Sequence, residues 1–121
     1  TMDIVYAAAK SAPQGIDGTF TLSIQASGSQ NNYVYLNTEL DYRDQRNISV
    51  ALNPSTVEQF IAKYGTHPQQ FFVGKTLSVS GEAKRVKIRF IADGRVTNKY
   101  YYQTHIRVKD ITQIELESIR A

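Results

Sequence analysis

The chain has no cysteine and no tryptophan, one methionine, and only three prolines and seven glycines in 121 residues. Without cysteine there is no disulfide, no thiolate zinc site and no cysteine nucleophile. The fold must rest on one hydrophobic core, for which this length suffices as a single domain. The same absence fits a reducing cytoplasm and, equally, an exported protein that folds without bridges. No apolar run approaches a membrane span, and no stretch has the pattern of a signal peptide. An export signal ahead of Thr1 would decide for the periplasm, and its absence for the cytoplasm. A phosphate-binding glycine loop is also missing: Val73-Gly74-Lys75-Thr76 copies the end of one but lacks the upstream glycine and lies in a strand pattern. The two histidines, His67 and His105, have neither a Ser/His/Asp nor a metal-ligand spacing. No cofactor is implied, and the chemistry left over is that of a binding module rather than an enzyme.

What the chain does have is charge of one sign gathered in one place. Residues 75–109 hold nine basic residues against Glu82 and Asp93, a balance of +7, while the remainder holds five basic and nine acidic residues, or −4. The net charge of +3 therefore hides a polarised molecule. Such a concentration points to an anionic partner through field focusing and counterion release.

Along the chain, residues 9–19 carry Pro13, Gly15 and Gly18 and read as a loop closing an N-terminal segment, 1–18. From there a single domain, 19–121, is expected. Phe20, Leu22, Ile24 and Ala26 alternate with polar residues as in a half-buried strand, and SGSQNN (27–32) has the composition of a hairpin turn. Residues 33–37 and 48–52 follow as second and third strands, joined by the charged connection TELDYRDQRN. At about 54–64, Val57, Phe60, Ile61 and Tyr64 form one apolar helical stripe. Ser55 with Glu58, or Asn53 with Pro54, would start this helix, and Gly65 would stop it. Phe71 and Phe72 would then cap the end of a barrel. Beyond the helix, Leu77 and Val79 point inward, then Val86, Ile88 and Phe90, which requires a bulge near Gly81. Asp93-Gly94 turns the chain, Tyr102, Thr104, Ile106 and Val108 face inward on the return, and ITQIEL (111–116) is a last strand.

One amphipathic helix among alternating strands predicts a mainly β domain, a small barrel of five to six strands with the helix between strands 3 and 4. The helix, the strand VGKTLSVSGEAKRV, the basic hairpin and IRVKDITQIEL together resemble the second half of an OB-fold. That resemblance covers roughly residues 19–117 as a pattern. It implies a closed barrel and a binding role, since OB-folds hold nucleic acids, oligosaccharides and proteins alike.

The candidate site is the basic hairpin, 84–109. With Val86, Ile88 and Phe90 inward, Arg85, Lys87 and Arg89 share the other face. Tyr101, Gln103, His105, Arg107 and Lys109 share a face of the returning strand. Paired side by side, these would be like charges whose repulsion an anionic ligand offsets. Cations would track phosphates, Tyr101 would stack on a base, and Gln103 and His105 would hydrogen-bond bases or phosphates. The bland reading is a solvated edge hairpin, or one neutralised by the acidic 39–44 loop. In that loop Asp41 and Asp44, with the nearby Glu39, are the candidates for a divalent cation, and calcium-dependent OB-fold nucleases do combine carboxylates with arginines. The interleaved Arg43 and Arg46 favour internal ion pairs instead. Tyr33, Tyr35 and residues 100–102 suit rim packing or a stacking platform. The leading expectation is a binder of an anionic polymer or surface, single-stranded nucleic acid first. The alternatives are an exported domain for a protein or glycan partner and, third, a metal-dependent phosphodiesterase.

Overall fold

Period-two alternation fills most of the chain, and it becomes sheet. The computed structural model describes residues 1–117. Its strands are β1 (Ile16–Ser23), β2 (Ala26–Gln30), β3 (Tyr33–Asn37), β4 (Ile48–Leu52), β5 (Thr76–Ala92), β6 (Arg95–Val108) and β7 (Ile114–Leu116). Helix α1 (Met2–Ser11) precedes them, and α2 (Pro54–Tyr64) and the short α3 (Pro68–Phe71) separate β4 from β5. The protein is thus mainly β. One sheet runs in the order β1-β5-β6-β4-β3-β2, with β7 also paired to β5. Every pairing is antiparallel except β4 with β6.

The alternating apolar residues share the inner face. Leu22, Leu36, Ile48, Val50, Leu52, Leu77, Val79, Ala83, Ile106 and Val108 are all buried there. Helix α2 covers this face with Val57 and Phe60, and Thr56 is buried beside them, its hydroxyl donating to the Val108 carbonyl at 3.1 Å. The Phe60 ring lies 5.1 Å from Phe72 and 5.3 Å from Phe71. Asn53 caps this helix by position, with Pro54 at its first turn, and Gly65 ends it in a left-handed conformation (φ +71°) that glycine adopts without strain. Ile61 and Tyr64 lie on the exposed side, so the buried stripe is turned towards Thr56 relative to the expected one.

Several expectations need correction. Residues 2–11, read as part of an N-terminal segment, form α1, whose Ile4 and Val5 pack on the core and whose Ala8 is fully buried. Strand β1 starts at Ile16 and so crosses the expected boundary at 18, while 118–121 lie outside the described residues. The turn at 27–32 is only Asn31-Asn32, both with positive φ; residues before it are strand β2, whose serines and glycine disguise a short strand held by backbone bonds to β3. The helix accordingly follows the fourth strand. Of ITQIEL, Ile111–Gln113 is a 3-10 turn capped by the Asp110 carboxylate, and only Ile114–Leu116 is strand. No bulge occurs at Gly81: alternation continues through Leu77, Val79 and Ala83, and the irregularity sits between Arg89 and Ile91.

Candidate binding face

The long strands β5 and β6 outrun the sheet. Strand β1 pairs with β5 no further than Ala83, and β4 pairs with β6 only from Thr104. Residues 86–103 therefore form a two-stranded ribbon whose strand pairing, among the described residues, is only with itself, and Lys84 and Arg85 stand at its base opposite His105 and Thr104.

Register decides which side chains meet. Arg85 faces Thr104, Lys87 faces Tyr102 and Arg89 faces Tyr100, so these cations continue the inner face beyond the core. The Arg85 guanidinium lies over the Tyr102 ring at 3.9 Å, and the Lys87 ammonium over Tyr100 at 4.5 Å. On the outer face Lys84 is opposite His105, Val86 opposite Gln103 and Ile88 opposite Tyr101. The expected eight-residue site is thereby divided. Tyr101, Gln103, His105, Arg107 and Lys109 belong together, and Arg85, Lys87 and Arg89 point the other way. The physical reason is the uninterrupted alternation through Gly81: Val86 and Ile88 are half-buried on the outer face and Phe90 is exposed, its ring 5.2 Å from Tyr101.

The outer face continues across the sheet. His105 is in register with Ser49, Ser49 with Asn37, Ala51 with Tyr35, and Tyr35 with Gly28. Two adjoining clefts, each about 440 Å³, lie on it. The first has tyrosine walls, Tyr35, Tyr42 and Tyr101, and a polar lining of Asn37, Ser49 and Gln103. The second is lined by Lys84, Arg107 and Lys109, with Glu82 and Gln113. His105 borders both.

Along β6 the polar side chains are linked. His105 Nε2 donates to Gln103 Oε1 at 2.7 Å, and Gln103 Nε2 donates to the Tyr101 hydroxyl at 3.0 Å. A neutral imidazole meets this arrangement with its proton on Nε2. Burial, assisted by the Arg107 charge, pushes the His105 pKa down to about 4.

The loop between β3 and β4 forms the rim. Buried Asn47 donates from Nδ2 to Ser49 Oγ (3.0 Å), Asn37 Oδ1 (3.3 Å) and the Tyr42 carbonyl (3.3 Å). Ser49 in turn donates to Asn37 Oδ1 at 2.6 Å. This network sets the backbone at Tyr42 against the first cleft. The acidic residues of the loop are consumed locally. Arg46 donates to both oxygens of Asp44 (3.1 and 2.8 Å) and lies 3.5 Å from Glu39. Arg43 donates to Asp41 from its backbone N–H (2.9 Å) and Nε (3.3 Å). The Arg46 side-chain bonds bring the Asp44 pKa down to about 2, and the Arg43 backbone bond, then its side chain, lowers that of Asp41. Arginines thus occupy the carboxylates that a cation would need, and among the described residues no cluster of three or more His, Asp or Glu is placed to hold a metal. Nor does this loop neutralise the hairpin: among the described residues no ion pair engages any cation of residues 84–109.

Sequence reasoning missed Gly28, Asn37, Tyr42 and Ser49, which come from three strands and a loop. The one available signal was the Tyr33-Val34-Tyr35 alternation, whose two rings do stack, at 6.2 Å. No protein-family model matches this chain, and neither a curated protein nor a solved structure matches it.

Proposed function

We propose that the protein is a non-enzymatic binding module that holds an anionic polymer, single-stranded nucleic acid, across the outer face of β6. One observation carries the reading: a tyrosine-walled cleft and a cationic cleft adjoin at His105. A base fits the first by stacking on Tyr101 or Tyr35 with hydrogen bonds to Asn37, Ser49 or Gln103, and its phosphate fits the second against Lys84, Arg107 and Lys109. We also propose an OB-like barrel for the frame. Its support is that β1 and β2 are separated only by Ile24 and Gln25, whose N–H groups bond Lys75 O and Asn37 O, both at 2.9 Å. One bent strand would then pair β5 with its first half and β3 with its second, returning the sheet on itself.

The test is titration of a labelled oligothymidine at low salt, with parent and Gly28→Val. Nothing lies within 4 Å of a Cβ added at Gly28, which lines the tyrosine cleft. Valine suits a strand, so unfolding should be unchanged or slightly favourable to the variant while oligonucleotide affinity falls about tenfold, as the loss of one stacked base would produce. Absence of binding by the parent to any oligonucleotide at low salt ends the nucleic-acid reading. The same tyrosine cleft with its amide and hydroxyl groups also suits a sugar ring, and binding of a neutral glycan that ignores salt would favour a carbohydrate partner instead.

A further inference from the structure

Close to the turn, the ribbon carries an exposed apolar pair that the groove does not use. Ile91 and Val96 are cross-strand partners, 71% and 66% exposed, and Phe90 beside them is 48% exposed. Their presentation is built rather than loose. Asp93 (φ +52°) and Gly94 (φ +74°) make a two-residue hairpin turn between Ala92 and Arg95. The Thr97 hydroxyl donates to the Phe90 carbonyl at 2.8 Å and accepts the Lys99 N–H at 3.3 Å, holding the irregularity behind the tip.

Cations flank the apolar pair, Arg95 on the turn side and the others on the side towards the core. Residues 84–103 contain Lys84, Arg85, Lys87, Arg89, Arg95 and Lys99 against Asp93 alone. Next to them Tyr100 and Tyr102 are exposed, with Lys87 and Arg85 stacked on their rings. An exposed apolar pair, cations on both sides of it and amphipathic tyrosines further along the ribbon are the groups that the boundary of an anionic lipid leaflet accommodates together. A phosphodiester strand would reward the cations but leave Ile91 and Val96 in water. A second copy of the chain would cover the apolar pair but set one +5 stretch, residues 84–103, against another. An anionic bilayer satisfies both features.

We infer that the ribbon tip is an insertion element for an anionic phospholipid surface, with Ile91 and Val96 entering the acyl boundary and Arg89, Arg95 and Lys99 meeting lipid phosphates. This goes beyond the groove and does not depend on it.

The chain has no tryptophan, so Val96→Trp places a single fluorophore at the tip without background. With vesicles of phosphatidylglycerol and phosphatidylcholine its emission should shift to the blue and become shielded from an aqueous quencher; with phosphatidylcholine alone it should not. In the otherwise unaltered chain, Ile91→Asp with Val96→Asp should reduce co-sedimentation with the anionic vesicles by about tenfold or more while leaving thermal unfolding and oligothymidine binding unchanged. Arg89→Gln and Arg95→Gln should each cost about fivefold. A tryptophan that stays in water on anionic vesicles overturns the inference, as does unchanged sedimentation of the aspartate variant. Loss of oligothymidine binding in that variant would give the tip to nucleic acid, and loss of self-association without loss of vesicle binding would make it a contact between copies; either result also overturns it.

Discussion

His105 shows how one position on this face joins stability to binding. It borders both clefts, and its ring is held neutral because burial and Arg107 disfavour the imidazolium. Its pKa falls from 6.5 to about 4 on folding, so between those values the unfolded chain binds more protons than the folded one. Stability should therefore decline as the pH drops from about 6.5 to 4, by up to about 3 kcal/mol. His105→Gln should flatten that segment of a urea-midpoint-against-pH curve; an unchanged slope would contradict the assignment. Asp44 acts in a separate, lower window. Its depressed pKa adds stability above about 3.8 that is lost as the pH falls towards about 2. Neither effect is visible in the sequence, where His105 is one more polar residue in an alternating strand and its burial and its neighbour Ser49 are unknown.

Elements locate the weight of the fold. Phe60 is the aromatic centre of the α2 contact, 4.6 Å from Tyr64 and close to Phe71 and Phe72. Phe60→Ala should cost about 3–5 kcal/mol in chemical denaturation. The chain leading into β1 passes close to β5. A Cβ at Gly15 would come within 2.7 Å of the Ala83 carbonyl oxygen, and its N–H donates to Glu82 at 3.2 Å. Gly15→Ala should thus destabilise by about 1–3 kcal/mol, since the Ala83 backbone as well as the Glu82 side chain must give way; a neutral result would show that this strand end shifts freely. The helix at 54–64 was legible because proline, a 3.6-residue stripe and glycine agree along one short segment. Helix α1 was not, because its apolar stripe of Ile4, Val5 and Ala8 is short and the breakers Pro13, Gly15 and Gly18 follow closely. Strand β2 was not legible for a different reason: its residues are polar, and backbone pairing with β3 makes it a strand.

At the scale of the whole molecule, charge is sorted by face as well as by segment. Lys84, Arg107 and Lys109 line the second cleft, whereas Arg85, Lys87 and Arg89 lie on the inner continuation of the ribbon. Reversing Lys84, Arg107 and Lys109 to glutamate should lower the slope of log affinity against log salt for oligothymidine by about 0.7 for each phosphate no longer neutralised. Arg85→Glu with Lys87→Glu should change that slope less. Equal effects from both sets would mean that the ligand reads total charge and that the groove does not select it.

The order of residues alone was enough for a mainly β protein, for the 54–64 helix, for the buried run of Thr104, Ile106 and Val108, and for a concentration of cations after residue 75. These follow from local periodicity and composition, which act over a few residues. Which side of the ribbon each cation occupies, and that Tyr35, Ser49 and His105 stand together, were decided by strand pairing between distant segments. A two-residue side-chain period gives the relative faces within a strand but never the register between strands. One unneeded bulge assumed at Gly81 was enough to move three arginine and lysine side chains to the wrong surface.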